Sequence, residues 1–169
     1  MSKKSLMVIV SKMSGIADRK SSMEILSNVK IEVVEHGKVK FFATDLNVSM
    51  LGCVDAKTDG DGGITVPAKT LFDIVRSMPA GNVVLDVDQS KLSIVVRSGR
   101  SKFKIQGLPC DEYPAEKNFD DIQFFEIECG ELNKSIDLTS FAISTDITRP
   151  HINGADRKST RLNSSHRIR

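Results

Sequence analysis

The sequence has no long hydrophobic run. A membrane-spanning helix needs roughly 18 consecutive apolar residues, and no segment of the 169-residue chain comes near that length. Basic residues precede the apolar run Leu6–Val10, but this run has only five residues and no cleavage pattern follows it. We therefore expect neither a signal peptide nor a membrane span.

Residues arranged for metal binding or catalysis are also scarce. The three cysteines, Cys53, Cys110 and Cys129, are scattered and odd in number, which is typical of a reduced, intracellular chain. The acidic loop that begins at Asp59 resembles a calcium loop, but Thr70 stands where a bidentate Glu is required. The phosphate-binding pattern GxxxxGKS/T and the nucleophile pattern GxSxG are absent. We expect no enzymatic activity, no metal and no cofactor.

Acidic residues are scarce only in the C-terminal tail of the chain. Asp156–Arg169 holds five Lys or Arg and one Asp, a net +4, so a total of +2 leaves Met1–Ala155 at −2. The bulk of the chain has no global nucleic-acid signature, and any basic patch must be local. Over Asp156–His166 the tail resembles the conceptual translation of a sequencing-library adapter, which places 156–169 outside the native fold. The alternative is a disordered basic tail that binds nucleic acid.

An internal repeat organises the first two thirds of the chain. An apolar stripe at helical spacing runs over Leu6–Met13, and the same four residue types recur at the same spacing over Leu71–Met78. Gly15 predicts the end of the first helix, whereas Pro67 and Pro79 bracket the second. Three strand-like runs follow each helix: Ile25–Glu35, Lys38–Asp45 and Asn47–Ala56, then Asn82–Asp88, Lys91–Arg97 and Arg100–Gly107. Two-residue turns at His36-Gly37 and Gln89-Ser90 are expected to join the first pairs.

The repeat predicts an α+β domain over residues 1–109, with both helices on one face of a shared antiparallel sheet. A further strand, Gly63–Pro67, precedes the second helix, and we expect its counterpart before the first helix to be missing. A polar linker spans 110–122. A second unit over 123–155 is predicted to begin with strand Phe124–Glu128 and helix Glu131–Thr139, and to be truncated.

The segment Lys91–Pro109 is predicted to be a hairpin with one basic face. A two-residue turn at Ser98-Gly99 places Arg97 opposite Arg100. Period-2 alternation puts Leu92, Ile94, Val96, Phe103 and Ile105 on one face and Arg97, Arg100, Lys102 and Lys104 on the other. Either this basic face is a solvated edge that discourages aggregation, or it meets an acidic partner, carboxylate or phosphate.

Other basic residues are isolated, and each alone is more typical of a solvated charge. They are Arg19, Lys20, Lys69, Arg76 and Arg149. Because aromatic residues are not interleaved with them, they favour contact with backbone phosphates over base reading.

Seven short segments, in order, resemble the bacterial DNA polymerase III beta subunit, or sliding clamp, family. They are Glu24-Ile-Leu-Ser-Asn28, Ala43-Thr-Asp-Leu46, Gly63-Ile-Thr-Val-Pro-Ala68, Phe72-Asp-Ile-Val-Arg76, Arg97-Ser-Gly-Arg-Ser-Lys-Phe103, Leu108-Pro109 and Ile152-Asn-Gly154. The resemblance implies the DNA-clamp fold, in which two protomers of three similar domains form a ring. It implies helices that line the hole, sheets that form the outer wall, and a bacterial cytoplasmic protein without an active site.

The resemblance also implies partners and sites. Such a ring encircles duplex DNA without sequence preference, tethers the replicative polymerase and is opened by a clamp loader. The matching positions imply DNA contacts at Lys20, Arg149, Pro150 and His151, and we expect the basic residues Arg19 and Lys69 to contact DNA as well. They imply a protomer interface, facing carboxylates of the second protomer, at Arg76, Arg100, Lys102, Phe103 and Ile105. We expect Arg97, on the basic face of the hairpin, to belong to this interface as well.

The sequence alone therefore leaves two possible functions. The first is a fragment of a processivity clamp, without the third domain and the cleft that binds polymerase peptides. The second is a stand-alone nucleic-acid-binding or interaction module that reuses the clamp fold. A fragment of a clamp should hold linear DNA barely at all, whereas a stand-alone binder should hold it with a steep salt dependence.

Overall fold

The computed structural model describes residues 1–17, 23–35, 37–116, 126–146 and 148–156. The chain divides into two compact units, Met1–Lys117 and Asn118–Arg169. Among the described residues, no helix is long and apolar enough to cross a membrane.

Two helices form where the sequence has apolar residues at helical spacing. Helix α1 spans Lys3–Ile16 and buries Leu6, Val10 and Met13. Helix α2 spans Ala68–Ser77, directly after Pro67 as expected. The prediction that α1 ends at Gly15 is wrong: the helix continues to Ile16, and the N–H of Ala17 donates to Met13 O at 3.0 Å. The helix therefore ends with a backbone hydrogen bond to the carbonyl group one turn earlier. This bond does not require a glycine.

Seven strands form two antiparallel sheets in the first unit, and not the single shared sheet that the repeat predicts. The first sheet has the order β3-β2-β1-β4, and the second has the order β5-β6-β7. The strands are β1 (Asn28–Glu35), β2 (Lys38–Thr44), β3 (Ser49–Asp55), β4 (Gly63–Pro67), β5 (Val84–Asp88), β6 (Ser93–Ser98) and β7 (Ser101–Gln106). The repeat of one helix followed by three strands is confirmed, since α1 precedes β1–β3 and α2 precedes β5–β7.

One hydrophobic core lies between the helices and the sheets. Along β2, the side chains of Val39, Phe41 and Ala43 are at most 6% exposed and belong to this core. The second sheet adds Ile94 and Val96, and both helices add their apolar stripes. The apolar residues that alternate along the strands and those at helical spacing along the helices thus pack into one hydrophobic layer. This confirms the α+β class.

The predicted register of the β6–β7 hairpin is wrong by two residues. Its turn is Gly99-Arg100, and Ser98 pairs with Ser101. Gly99 has φ +56°, and a glycine with positive φ at the first turn position is what a type II′ turn requires. Arg97 therefore lies opposite Lys102, not Arg100. A shift of two residues keeps every side chain on its predicted face, so the assignment of faces survives the error.

The turn between β5 and β6 is also longer than predicted. It spans Gln89–Leu92 in place of two residues. The side chain of Asp88 accepts hydrogen bonds from Ser90 Oγ at 2.6 Å and from the N–H of Lys91 at 3.1 Å. An aspartate that binds the backbone ahead of it stabilises such a turn, and Leu92 closes it with φ +45°.

The segment that follows β7 crosses the first sheet on the face opposite the helices. We name it the strap, Leu108–Glu116. Leu108 forms an isolated antiparallel bridge with Thr65 of β4, and the Tyr113 ring packs edge-on against Phe42, with ring centres 5.8 Å apart. The Tyr113 hydroxyl donates to Asn28 O at 2.9 Å and accepts from the N–H of Thr44 at 3.3 Å.

An ion-pair chain extends the contact between strap and sheet. Lys40 Nζ lies 2.7 Å from Glu116 Oε1 of the strap and 3.4 Å from Glu32 Oε2. Glu32 Oε1 in turn lies 2.7 Å from Lys30 Nζ. All four side chains are half-buried, so the strap closes a partly desolvated network over β1 and β2.

The second unit contains one helix of more than one turn among its described residues. Helix α3 spans Cys129–Thr139, two residues longer at its start than predicted. Short 3₁₀ turns follow at Ser140–Ala142 and Pro150–Ile152. The strand predicted over Phe124–Glu128 falls partly outside the described residues, and its described end, Glu126–Glu128, forms no strand.

Candidate nucleic-acid interface and protomer interface

The two helices of the first unit pack together so that the start of α1 meets the end of α2. The N–H of Lys3 donates to Gly81 O at 2.8 Å. The Lys3 ammonium donates to the backbone carbonyls of Arg76, at 3.1 Å, and Met78. An ammonium is favourable at a helix C-terminus because the last carbonyls lack partners and carry partial negative charge. Lys3 therefore joins the two helices that form one surface of the unit.

The solvent-facing side of this helical layer is basic. Helix α1 contains three lysines and no acidic residue, and its Lys4 and Lys12 are exposed. On α2, Lys69 is exposed. Arg76 is engaged locally, with its guanidinium 5.4 Å from the centre of the Phe72 ring. One nitrogen of that guanidinium lies 3.4 Å from Asp73 Oδ1. Asp73 therefore partly neutralises the charge of Arg76.

The other predicted DNA-contacting residues belong to the second unit or lie outside the described residues. Arg149, Pro150 and His151 belong to the second unit, where Arg149 Nε lies 2.9 Å from Asp146 Oδ2. Hydrogen bonds from Thr148, and then from Arg149, hold the pKa of the Asp146 carboxyl below its usual value. The loop therefore has an internal counter-charge for Arg149. Arg19 and Lys20 lie outside the described residues.

Strand β7 forms an edge of the second sheet, because β6 is its only strand partner among the described residues. An edge strand presents unpaired backbone N–H and C=O groups that can pair with another chain. Along β7, Lys102 and Lys104 are exposed and Phe103 keeps 39% of its surface exposed. The strand edge, its two ammonium groups and one aromatic ring together form a surface suited to an acidic strand.

Three of the predicted protomer-interface residues differ in their surroundings from the expectation. Ile105 is only 5% exposed and lies in the core, where it pairs with Ile94 across the ladder. Arg97 forms an ion pair with Asp86 of β5. Asp86 lies outside the segment 91–109 and becomes a neighbour of Arg97 only through the pairing of β5 with β6. Arg100 is exposed in the turn.

The described residues contain no group that could hold a metal ion, and their three cysteines are free thiols. No cluster of three or more His, Cys, Asp or Glu side chains could hold an ion among them. Cys53 on β3 and Cys129 at the start of α3 are exposed, and Cys110 of the strap is half-buried. Burial, and then the nearby Glu32 carboxylate, raise the pKa of the Cys110 thiol.

Comparison with known proteins decides the family. The family model described as the DNA polymerase III beta subunit, N-terminal domain, matches residues 1–117. The chain belongs to this family. Its clamp relatives include the beta sliding clamp of Caulobacter vibrioides strain NA1000, 35% identical over 141 residues, and that of Pseudomonas aeruginosa, 35% identical over 144 residues. Each match covers 83% of this chain and 38% of the relative. The chain thus spans well under half the length of these curated clamps.

Solved clamp structures share the fold as well as the sequence. The Caulobacter crescentus beta sliding clamp matches with a TM-score of 0.84 and 32% identity, over 91% of this chain and 41% of that one. The Bacillus subtilis sliding clamp matches with a TM-score of 0.79 and 26% identity, over 89% and 41%. The resemblance stated from the sequence and the clamp fold are both confirmed.

Sequence reasoning missed several residues of the helical layer and of the second sheet. Lys3 was not recognised as a helix cap, because its partners lie more than 70 positions along the chain. Lys4 and Lys12 were not singled out, although it is visible in the sequence that this helix has three lysines and no acidic residue. Asp86 was not recognised as the partner of Arg97, because only the pairing of β5 with β6 brings the two residues together.

Proposed function

We propose that the chain is the amino-terminal part of a sliding clamp whose complete form encircles duplex DNA and tethers the replicative polymerase. The family match over residues 1–117 carries this proposal. The basic helical layer on one side of the unit and the free β7 edge support it, since a ring needs a polyanion-facing surface and a joining edge. The activity is non-catalytic and cytoplasmic, and the clamp loader and the polymerase are partners of the complete protein.

The DNA contacts proposed for the complete ring are made to phosphates. Lys69 contributes from α2, Arg19 and Lys20 from the connection after α1, and Arg149, Pro150 and His151 from the second unit. Phosphate contact without base reading makes binding independent of sequence, which a clamp that slides requires.

The proposed protomer interface is the β7 edge. Arg100, Lys102 and Phe103 meet carboxylates and an apolar patch of the second protomer, with Arg76 and Arg97 beside them. Ile105 supports Phe103 from the core. Each ion pair at the rim adds little affinity alone, so the exposed ring of Phe103 and the strand pairing carry most of the binding.

The proposed domain boundaries are 1–109 for the first clamp domain, 110–122 for the linker and 123–155 for the start of the second domain. Residues 156–169 are proposed to be foreign. Reading the source DNA past the codon for Ala155 tests this boundary. A frame that continues into further clamp sequence supports it, and a genuine stop after Arg169 favours the stand-alone module.

A hybrid clamp tests the function directly. Met1–Ala155 replaces the matching part of the Caulobacter vibrioides clamp, and the hybrid is loaded on circular DNA by that organism's loader. We expect a dimer that stays on circular DNA and is released when the DNA is linearised. Equal retention on linear DNA, or a hybrid that is folded but monomeric and never retained, would overturn the proposal.

A further inference from the structure

Strand β5 forms the other open edge of the second sheet. Its only strand partner among the described residues is β6, so the far side of Val84–Asp88 faces no strand there. The residue before β5 is already paired on that side: the N–H of Val83 donates to Met1 O at 2.9 Å, and the Met1 ammonium donates to Val83 O at 3.2 Å. Ser2 forms an antiparallel bridge with Asn82. A short antiparallel ladder therefore lies in line with β5 and covers none of it.

The backbone groups of two β5 residues point to this open side. Along an antiparallel strand, residues that bond to one neighbour alternate with residues that bond to the other. Because Val83 exchanges both of its hydrogen bonds with Met1, the N–H and C=O groups of Leu85 and Val87 also point away from β6. The edge therefore offers donors and acceptors that continue the Met1–Val83 pair.

The side chains of β5 determine which strand fits beside it. Leu85 packs against the hydrophobic core, and Val87 on the same face keeps 37% of its surface exposed. Asp86 and Asp88 lie on the opposite face, where Arg97 is the ion-pair partner of Asp86 within the sheet. A partner strand fits when it places apolar side chains beside Leu85 and Val87 and a basic side chain beside Asp86.

The first sheet contains an internal example of such a pairing. There β1, the first strand after α1, is paired on its far side with β4 over five residue pairs. The sequence of β4 is Gly-Ile-Thr-Val-Pro, and its Ile64 and Val66 are buried. Strand β5 is the corresponding first strand after α2. The repeat therefore indicates that this position accommodates five extended residues with apolar side chains at the second and fourth.

We propose that the β5 edge, Val84–Asp88, is a binding site for an extended peptide segment that adds to the sheet antiparallel to β5. The segment has apolar side chains at alternate positions and a basic side chain between them. Main-chain hydrogen bonds supply the affinity, and the alternate side chains select the partner. Because β5 and β7 are opposite edges of the sheet, the hybrid clamp can dimerise whether or not this site binds a peptide.

Binding is measured with the peptide Lys-Ile-Lys-Val-Thr, blocked at both ends. In the proposed register its valine lies beside Leu85, its second lysine beside Asp86 and its isoleucine beside Val87. The peptide is titrated into the isotope-labelled full chain, and we expect saturable NMR shifts at the amides of Leu85 and Val87. No saturable shift, or shifts along β7 alone, would overturn the proposal. Shifts of these amides that follow protein concentration without peptide would show that a second copy occupies the edge, and would refute the peptide as its occupant.

A charge placed on the edge tests the site from the side of the protein. Val87→Lys sets an ammonium group opposite the isoleucine of the peptide, and lysine on an edge strand opposes strand addition. We expect binding to weaken by about fivefold, the most that one cross-strand pair contributes. The matched control Val48→Lys puts the same charge on an exposed valine before β3, in the first sheet, and should leave binding unchanged. An equal loss in both variants would reveal general charge repulsion and overturn the site.

Two extensions of equal composition test the alternating pattern. Lys-Ile-Lys-Val-Thr fused directly before Met1 continues the Met1–Val83 ladder along β5 and should abolish binding of the free peptide. Ile-Lys-Val-Lys-Thr fused at the same place is out of phase by one residue, so that its lysines lie beside Leu85 and Val87. This second extension should leave most of the binding intact. Equal blocking by the two extensions would refute the pattern, whatever the hybrid clamp does on DNA.

Discussion

Tyr113 fixes the strap to the sheet by a ring contact and two hydrogen bonds. It is 5% exposed, and burial raises the pKa of its hydroxyl above the usual value of about 10. Tyr113→Phe keeps the ring against Phe42 but leaves Asn28 O and the N–H of Thr44 without these bonds. We expect the variant to lose about 1–2 kcal/mol of unfolding free energy in urea titrations at neutral pH.

The same tyrosine predicts an alkaline loss of stability. Because the folded state binds the phenolic proton more tightly than the unfolded state does, the stabilisation is complete below about pH 10 and is lost as pH rises through the higher folded pKa. The unfolding free energy of the parent chain should therefore fall towards that of Tyr113→Phe in this range. Tyr113 is the only tyrosine, so its ionisation can be followed directly by ultraviolet absorbance. A constant difference between the two proteins from neutral to alkaline pH would refute this.

At the scale of the element, strand β7 contributes one side chain to the hydrophobic core and others to the proposed protomer interface. Ile105 is buried opposite Ile94, whereas the ring of Phe103 is partly exposed. We expect Ile105→Ala to cost about 2–4 kcal/mol of unfolding free energy, since it leaves a cavity in the core. Phe103→Ala should cost less than half as much in the isolated chain but should weaken dimer formation in the hybrid clamp, measured by analytical ultracentrifugation. The reverse order of the two costs in stability would show that Phe103 is the core residue.

Elements were more predictable from the sequence than the geometry that joins them. In the first unit the helices and strands follow from apolar periodicity, and only their ends shift, as at Gly15. In the second unit the described end of the strand predicted over Phe124–Glu128 forms no strand. The register of β6–β7 was wrong because Ser98-Gly99 and Gly99-Arg100 both place a glycine in a two-residue turn, and period-2 faces cannot separate registers that differ by two. The division of the strands into two sheets could not be predicted, because it depends on which strands pair across long sequence separations.

The candidate site was predictable where it depends on one element. Lys102 and Phe103 lie on the exposed edge that the hairpin pattern and the clamp resemblance indicated. Lys3 and Asp86 were missed because their roles depend on partners from other elements. Ile105 was assigned to the interface by family position, whereas the packing of the isolated unit places it in the core.

At the scale of the whole molecule, the first unit contains its own core. Both buried clusters consist of residues between Leu6 and Tyr113, and no residue of α3 is buried. We expect a chain ending at Lys117 to unfold in urea with the midpoint of the full chain, measured by circular dichroism. A markedly lower midpoint, or failure to fold, would show that the first unit depends on residues after Lys117.

The placement of the cysteines makes the chain ready for distance measurements without engineered labelling sites. Cys53 is exposed in the first unit and Cys129 in the second, whereas the thiol of Cys110 is half-buried and its raised pKa keeps less of it as the reactive thiolate. Mild spin labelling should therefore modify one native position in each unit before it reaches the strap. A Cys110→Ser background would remove the remaining ambiguity. Pulsed electron resonance between the two labels would then report the separation of the units, and its change when DNA is added.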